Sequence, residues 1–327
     1  MRLRYCFMPL LFGLLGCSGR VLDLDQGATS SPSAQQTDPK LPASLDGFTG
    51  VWVDDQRLYW LHAGSFQSCL KADCKHKTIT YATNAWRTAV AGGRVYWQLF
   101  DGTFVGCPAE GCAASPVMLI RDDSVGSNND VPAFAADQRY FYWGSLFDIY
   151  RCPVGGCEAV PEVLARNARV SFLVVDETHA YWPESGGIRS APIDGSETPK
   201  LLVSSTSPRV LAVSAGYLYW PVASQVFRCP TAGCGDSPAT LVVTGESEIS
   251  VIKVQDNTMY WLAANTIHSC QLPGCEEPQL FTPPTVSDLN DFTPTQSFAV
   301  DATDVYWLDG QSSTDYRSGK AIRRAPR

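Results

Sequence analysis

The chain has 327 residues, 45% of them hydrophobic and 18% charged, and its 33 acidic against 25 basic side chains give a net charge of −8. That balance suits a globular protein with a sizeable core, and it disfavours nucleic acid or an anionic lipid surface as a partner, since both would be repelled. Twelve cysteines make the redox compartment the next question.

At the N-terminus, Arg2 and Arg4 precede an apolar run from Phe7 to Gly16 that is too short to span a bilayer and reads as a signal peptide over residues 1–16. The run closes on Leu14-Leu15-Gly16-Cys17, followed by Ser18. This stretch resembles the lipobox of bacterial lipoproteins. The resemblance implies that Cys17 is acylated and becomes the mature N-terminus, so that the protein meets the membrane of the cell envelope through this lipid anchor alone. Ser18, rather than an aspartate, points to the outer membrane, on either its periplasmic or its surface face. Each buried acyl CH₂ is worth about 0.8 kcal/mol, so several chains hold firmly where one would be marginal. Residues 17–45 follow as a tether. From Arg20 onward they are rich in Ser, Gln, Thr, Asp, Ala and Pro, a composition that cannot bury enough apolar surface to fold.

From residue 46 to 327 one unit recurs. Tyr-Trp is found at Tyr59-Trp60, Tyr96-Trp97, Tyr142-Trp143, Tyr181-Trp182, Tyr219-Trp220, Tyr260-Trp261 and Tyr306-Trp307, at intervals of 37 to 46 residues. Before each pair lies a β-rich run such as Leu173-Val174-Val175-Asp176, then a short turn; after it come a strand such as Ile149-Tyr150-Arg151-Cys152, a tight turn and a last strand such as Glu162-Val163-Leu164-Ala165. Seven such four-stranded units predict an all-β, seven-bladed β-propeller, with six or eight blades as the alternatives. Adjacent residues on a strand point to opposite faces, so Tyr beside Trp requires both faces to be covered, as they are when each blade is sandwiched between two others. The aromatics are therefore expected to form the inter-blade core.

These repeats resemble the YWTD propellers of the low-density-lipoprotein-receptor class over residues 46 to 327, most closely from Asp176-Glu177-Thr178-His179-Ala180-Tyr181-Trp182 to Leu201-Leu202. That family has six blades, against seven units here, and the Thr-Asp that follows Tyr-Trp is missing; only Tyr306-Trp307-Leu308-Asp309 comes close. The resemblance implies architecture and carries no catalytic residue across.

The last unit ends without a fourth strand, an open edge that needs cover. Pro39-Lys40-Leu41-Pro42-Ala43-Ser44-Leu45 looks like the fourth strands elsewhere, so residues 38–45 are expected to join the last blade and close the ring.

Besides Cys6 and Cys17, ten cysteines form pairs with four residues between: Cys69 with Cys74, Cys107 with Cys112, Cys152 with Cys157, Cys229 with Cys234, and Cys270 with Cys275. The insert is typically Pro-x-x-Gly, as in Pro153-Val154-Gly155-Gly156, which suits a hairpin turn that sets the cysteines opposite each other on the third and fourth strands. In the fourth unit both positions change together, to Ala191 and Ser196. Two ligands on each of several separate blades cannot make a four-ligand zinc site, so structural disulfides are predicted.

No catalytic constellation emerges. Aligning the units places Thr49, Trp86, Pro132, Ser171, Arg209, Ser250 and Gln296 at the starts of the inner strands, around the channel mouth, with Arg87 and Arg169 close by. A carboxylate and a histidine are both missing from this set, whereas Trp86, Arg87, Arg169, Ser171, Arg209 and Gln296 could hold a sugar or an anionic ligand. A solvated rim is the plainer reading. The loops at 121–130, 282–296 and 308–320 are longer than their counterparts and offer room for recognition. Around blade seven, Asp288, Asn290, Asp291, Asp309 and Asp315 are oxygen donors of the kind calcium takes, the one cofactor the sequence suggests. Two functions stay open: a non-catalytic envelope platform that binds protein or glycan, and a propeller lyase or hydrolase acting on cell-wall or external polysaccharide. An enzyme should set an acid or base beside Trp86 and Arg209, and a platform should show a broad apolar or aromatic patch on one face.

Overall fold

The computed structural model describes Leu41 and residues 48–74, 76–112, 115–121, 133–145, 147–157, 160–168, 170–204, 208–234, 239–245, 247–264, 266–281, 297–309 and 321–327. The expected signal peptide, Cys17 and, Leu41 apart, the expected tether lie outside them. The described residues form seven antiparallel sheets, one for each Tyr-Trp unit. Their inner strands are Phe48–Val53, Arg87–Ala91, Phe134–Ala136, Val174–Val175, Ala212–Ser214, Ile249–Gln255 and Phe298–Val300. Each inner strand touches the inner strand of the next blade, and the last touches the first. The protein is a seven-bladed β-propeller.

Every Tyr-Trp pair lies on the second strand of its blade, and all fourteen rings are at most 6% exposed. The tryptophan face of one blade meets the tyrosine face of the blade before it. Trp261 and Met259 of blade six pack on Tyr219 and Val226 of blade five, and Trp182 of blade four on Tyr142 and Ile149 of blade three. Burial of each ring contributes on the order of 2–3 kcal/mol. Two adjacent aromatics therefore bind a blade to both of its neighbours.

Six sheets have four strands, and in the seventh three are described: Phe298–Val300, Asp304–Asp309 and Ala321–Pro326. Of the segment expected to complete it, only Leu41 is described. Leu41 is buried among Phe48, Leu58 and Trp60 of blade one and Ala299, Tyr306 and Ile322 of blade seven. Across the same seam Lys71 donates to Asp301 at 2.7 Å, and the Asp301 side chain is only 3% exposed.

All five disulfides lie within blades, with Cα separations of 4.8 to 5.4 Å. The second cysteine is not on the fourth strand. Cys69 pairs in the ladder with Thr78, while Cys74 sits in the preceding turn. The reason is local: the proline carbonyl accepts the N–H of the glycine three residues on (Pro108 to Gly111, Pro153 to Gly156, Pro230 to Gly233), and the chain doubles back before the ladder begins. Proline therefore occupies the first position of the turn instead of a corner, while the glycine takes positive φ as expected, +106° at Gly156.

At the bottom of the propeller, six of the seven turns between the first and second strands use one of two chemistries. In blades two and five, Gly92-Gly93 and Ala215-Gly216 adopt positive φ, the mirror-image hairpin turn that matches strand twist. In blades one, three, four and seven an aspartate stands at the turn's first position and its Oδ1 accepts two backbone N–H groups: Gln56 and Arg57 on Asp54, Arg139 and Tyr140 on Asp137, Thr178 and His179 on Asp176, and Thr303 and Asp304 on Asp301. The carboxylate replaces the backbone carbonyl that would otherwise close the hairpin, so no residue there needs positive φ. In three of these turns Oδ2 also accepts the hydroxyl of the motif tyrosine, Tyr59 at 2.5 Å, Tyr142 at 2.8 Å and Tyr181 at 2.7 Å. Burial, then this bond to a carboxylate, raises the pKa of all three phenols.

Candidate functional site

The top of the propeller is the end at which the inner strands begin. There blade two differs from its neighbours. Trp86 immediately precedes the inner strand Arg87–Ala91, and its N–H donates to the Gln98 carbonyl at 2.9 Å, which fixes the backbone beneath the ring. The ring itself is 43% exposed. Phe100, in the top turn between Arg94–Gln98 and Thr103–Pro108, is 64% exposed, and its ring centroid lies 4.9 Å from that of Trp86 at an interplanar angle of 46°. Two large exposed aromatics in contact form a surface that water covers poorly.

Arg87 adds a cation to this surface. Its guanidinium carbon is 5.9 Å from the Trp86 centroid, and Nη1 donates to Oε1 of Gln98, a buried side chain, at 3.3 Å. Burial lowers the Arg87 pKa to about 10, so it remains charged at neutral pH. The nearest carboxylate in the same turn is Asp101. Hydrogen bonds from the Thr103 side chain and backbone N–H, the latter at 3.0 Å, hold its pKa below the ordinary carboxylate range, and Arg121 stands 3.8 Å away. A carboxyl group held ionised in this way is a poor general acid. Blade three carries another exposed aromatic, Phe147, in its corresponding top turn.

Of the residues expected at the channel mouth, Thr49 and Ser250 occupy equivalent places in their inner strands, and each hydroxyl donates to a second-strand carbonyl, of Leu61 and Leu262, at 3.4 Å. Ser171 and Arg209 are exposed just ahead of the inner strands of blades four and five, two and three blades round the ring from Trp86. The structure thus brings Arg87 to Trp86 and leaves Ser171 and Arg209 elsewhere; Pro132, Arg169 and Gln296 lie outside the described residues. Phe100 escaped the sequence reading, although its signal was present: the matching top turns of blades one and five are Ala63-Gly64 and Ala223-Ser224, where blade two places a phenylalanine.

The histidines have structural surroundings. His268 stacks on Trp261 with centroids 5.4 Å apart, His62 packs on Phe48, and Nδ1 of His76 is 2.7 Å from Asp73. Asp288, Asn290, Asp291 and Asp315 lie outside the described residues, and Asp309 is described only through its backbone, paired with Ala321. Among the described residues, no group of three or more His, Cys, Asp or Glu side chains could hold a metal ion.

Fold and site together define a class: a seven-bladed β-propeller stapled by disulfides within its blades, with an aromatic and cationic cluster on one rim. No protein-family model and no curated protein matches the chain. Among solved structures it is similar to U3-55K, at 12% identity over 88% of this chain and 97% of that one with a TM-score of 0.61. It is also similar to the WD40 β-propeller domain of Doa1, at 14% identity over 87% and 94% with a TM-score of 0.58. BamB from Moraxella catarrhalis matches at 13% identity over 84% of each chain, with a TM-score of 0.50. Likeness at such low identity establishes the fold and nothing finer.

Proposed function

We propose that this protein is a non-catalytic binding platform, held in a bacterial envelope by an acylated Cys17, whose propeller presents the Trp86–Phe100–Arg87 cluster to a glycan or a protein. The observation that carries this reading is the pair of large, exposed, mutually packed aromatics beside a charged guanidinium. Such a surface stacks on the apolar face of a sugar ring or an aliphatic side chain while the cation and Asp101 meet polar groups. The ionised state of Asp101 favours binding over acid–base chemistry.

The test is a titration of the mature protein with a panel of cell-wall and capsular oligosaccharides and envelope peptides, compared with Trp86→Ala and Phe100→Ala. A stacking contact worth about 0.5–1.5 kcal/mol predicts a two- to tenfold loss of affinity in either variant with the melting temperature unchanged. Equal affinities for wild type and both variants would remove the cluster from the function. Chain cleavage or new unsaturated products in the oligosaccharide mixture would instead establish the polysaccharide lyase or hydrolase. The anchor is tested separately, by intact mass and fatty-acid labelling of the wild type against Cys17→Ser; an unlabelled wild type would refute it.

A further inference from the structure

The seven inner strands differ from one another at one register position. The residue opposite the tyrosine of each Tyr-Trp pair is Trp52, Ala89, Ala135, Val174, Ala212, Lys253 and Ala299 in blades one to seven. Five blades place alanine or valine there, so the fold asks for nothing larger and nothing charged. The repeat supplies its own control: packing does not explain Lys253.

Lys253 is in the middle of Ile249–Gln255, the strand at one edge of the blade-six sheet. One side of that strand is bonded to Thr258–Ala263 and the other is the free edge bordering the central channel. Its ammonium lies 5.5 Å from the ring centroid of Phe298 on the inner strand of blade seven, within the seam between the two blades. The side chain is partly buried, and burial lowers its pKa to about 8 with no neighbouring charge contributing. A cation–π contact offsets only part of the cost of removing an ammonium from water.

Among the described residues, no acidic partner stands ready on the channel wall. The seven inner strands contain two charged residues, Arg87 and Lys253, and no Asp or Glu, although the chain as a whole carries −8. Of the acids at the turns beside these strands, Asp256 pairs with Arg327 at 2.7 Å and Asp301 with Lys71. On the adjoining second strand, the Tyr260 hydroxyl accepts from Arg327 at 3.0 Å. A partly desolvated ammonium in a wall of low polarity attracts an anion more strongly than it would in water.

We infer that Lys253 anchors an oxyanion, a carboxylate or phosphate group carried by a ligand that enters the central channel at the seam between blades six and seven. This site is separate from the blade-two cluster, so either can fail without the other. A ligand group bonded to Lys253 would complete the ion pair that the fold leaves open.

The experiment uses the full mature protein with its lysine side chains isotopically labelled at Cε and Nζ, titrated by NMR with inorganic phosphate, with acetate, and with chloride at matched ionic strength. The Lys253 resonance, assigned with Lys253→Arg, should shift saturably with phosphate or acetate and titrate at higher pH when either is bound, while Lys71 and Lys200 respond as they do in chloride. The stronger of the two responses identifies the oxyanion. Lys253→Ala should keep or raise the melting temperature and lose the response. A Lys253 signal that follows chloride alone overturns the proposal, as does a Lys253→Ala protein that melts several degrees lower, since the lysine would then be serving the packing.

Discussion

Replacing Asp176 by alanine removes one carboxylate and four hydrogen bonds at a single turn. Oδ1 accepts the N–H groups of Thr178 and His179, each at 2.8 Å, and the Thr178 hydroxyl at 3.0 Å, while Oδ2 accepts the Tyr181 hydroxyl at 2.7 Å. The backbone and threonine donors are exposed enough to turn to water. The Tyr181 hydroxyl belongs to a residue that is 1% exposed and would keep only the Thr231 side chain as a partner, and depriving such a buried group of its acceptor costs about 1–3 kcal/mol. With the loss of turn stabilisation added, Asp176→Ala should cost about 2–3 kcal/mol and lower the melting temperature by roughly 3–5 °C for a domain of this size. The pH dependence has a definite sign. Burial alone would raise the Asp176 pKa, but the hydrogen bonds from Thr178, Tyr181 and His179 outweigh it and lower the value in the folded protein. The carboxylate's contribution is therefore complete above the unfolded aspartate pKa of about 3.9 and fades as pH falls through the folded value. Urea unfolding of wild type and variant at a series of pH values should give curves that converge in acid. Adding Glu177→Asn and Thr178→Gly should recover about 1 kcal/mol, because the turn can then adopt the positive-φ form of blade five, although Tyr181 still lacks its acceptor. A cost below about 0.5 kcal/mol, or a gap that stays constant with pH, would refute the assignment of that turn to its carboxylate.

Blade four lacks the bridge of its neighbours but keeps the turn, with the Gly195 N–H on the Pro192 carbonyl at 3.1 Å, so Ala191→Cys with Ser196→Cys should form a sixth disulfide and add about 2 kcal/mol, read by thiol titration and melting temperature. Gly92→Ala should destabilise more than Gly93→Ala: both positions have positive φ, but a Cβ on Gly92 would lie 2.9 Å from the Asp137 carbonyl of blade three, whereas Gly93 faces open space. The expected difference is about 1 kcal/mol by denaturant midpoint. Lys71→Met strands the Asp301 carboxylate in the seam between blades one and seven and should cost about 2–3 kcal/mol at neutral pH. Burial already pushes the Asp301 pKa up and the Lys71 bond helps hold it down, so the deficit should shrink in acid, and a deficit independent of pH would exclude the ion pair as its cause.

The architecture was legible because its signal is redundant. A tyrosine beside a tryptophan, repeated at blade spacing, states the fold, the blade count and the burial of both strand faces, and the equivalence of Thr49 and Ser250 followed from the same alignment. The disulfide partners were legible from spacing and from their joint loss at Ala191 and Ser196. Their placement was not, since it depends on how many residues the Pro-x-x-Gly turn consumes before the ladder starts. The aspartate of each turn was visible in the runs that end at Asp176 and Asp301, but its two-sided role requires knowing that the turn beneath it has ordinary φ and that the tyrosine hydroxyl points back to it. The meeting of Trp86 with Phe100 across two loops, and the isolation of Lys253 at the channel edge, depend on distances that no periodicity encodes.

Each bridge joins cysteines five positions apart, so a pair can oxidise as soon as one hairpin has formed, before any other blade exists. Ten cysteines could in principle combine in roughly nine hundred ways, a number that makes many disulfide-rich proteins dependent on reshuffling. Here a small loop-closure entropy favours the native partner over every distant one. Oxidation can thus proceed blade by blade from the N-terminus to the C-terminus, with little need for isomerase correction. Among the described residues, the seam that joins the last blade to the first holds no disulfide and consists of side-chain packing and the Lys71–Asp301 ion pair, so that closing it remains a reversible step.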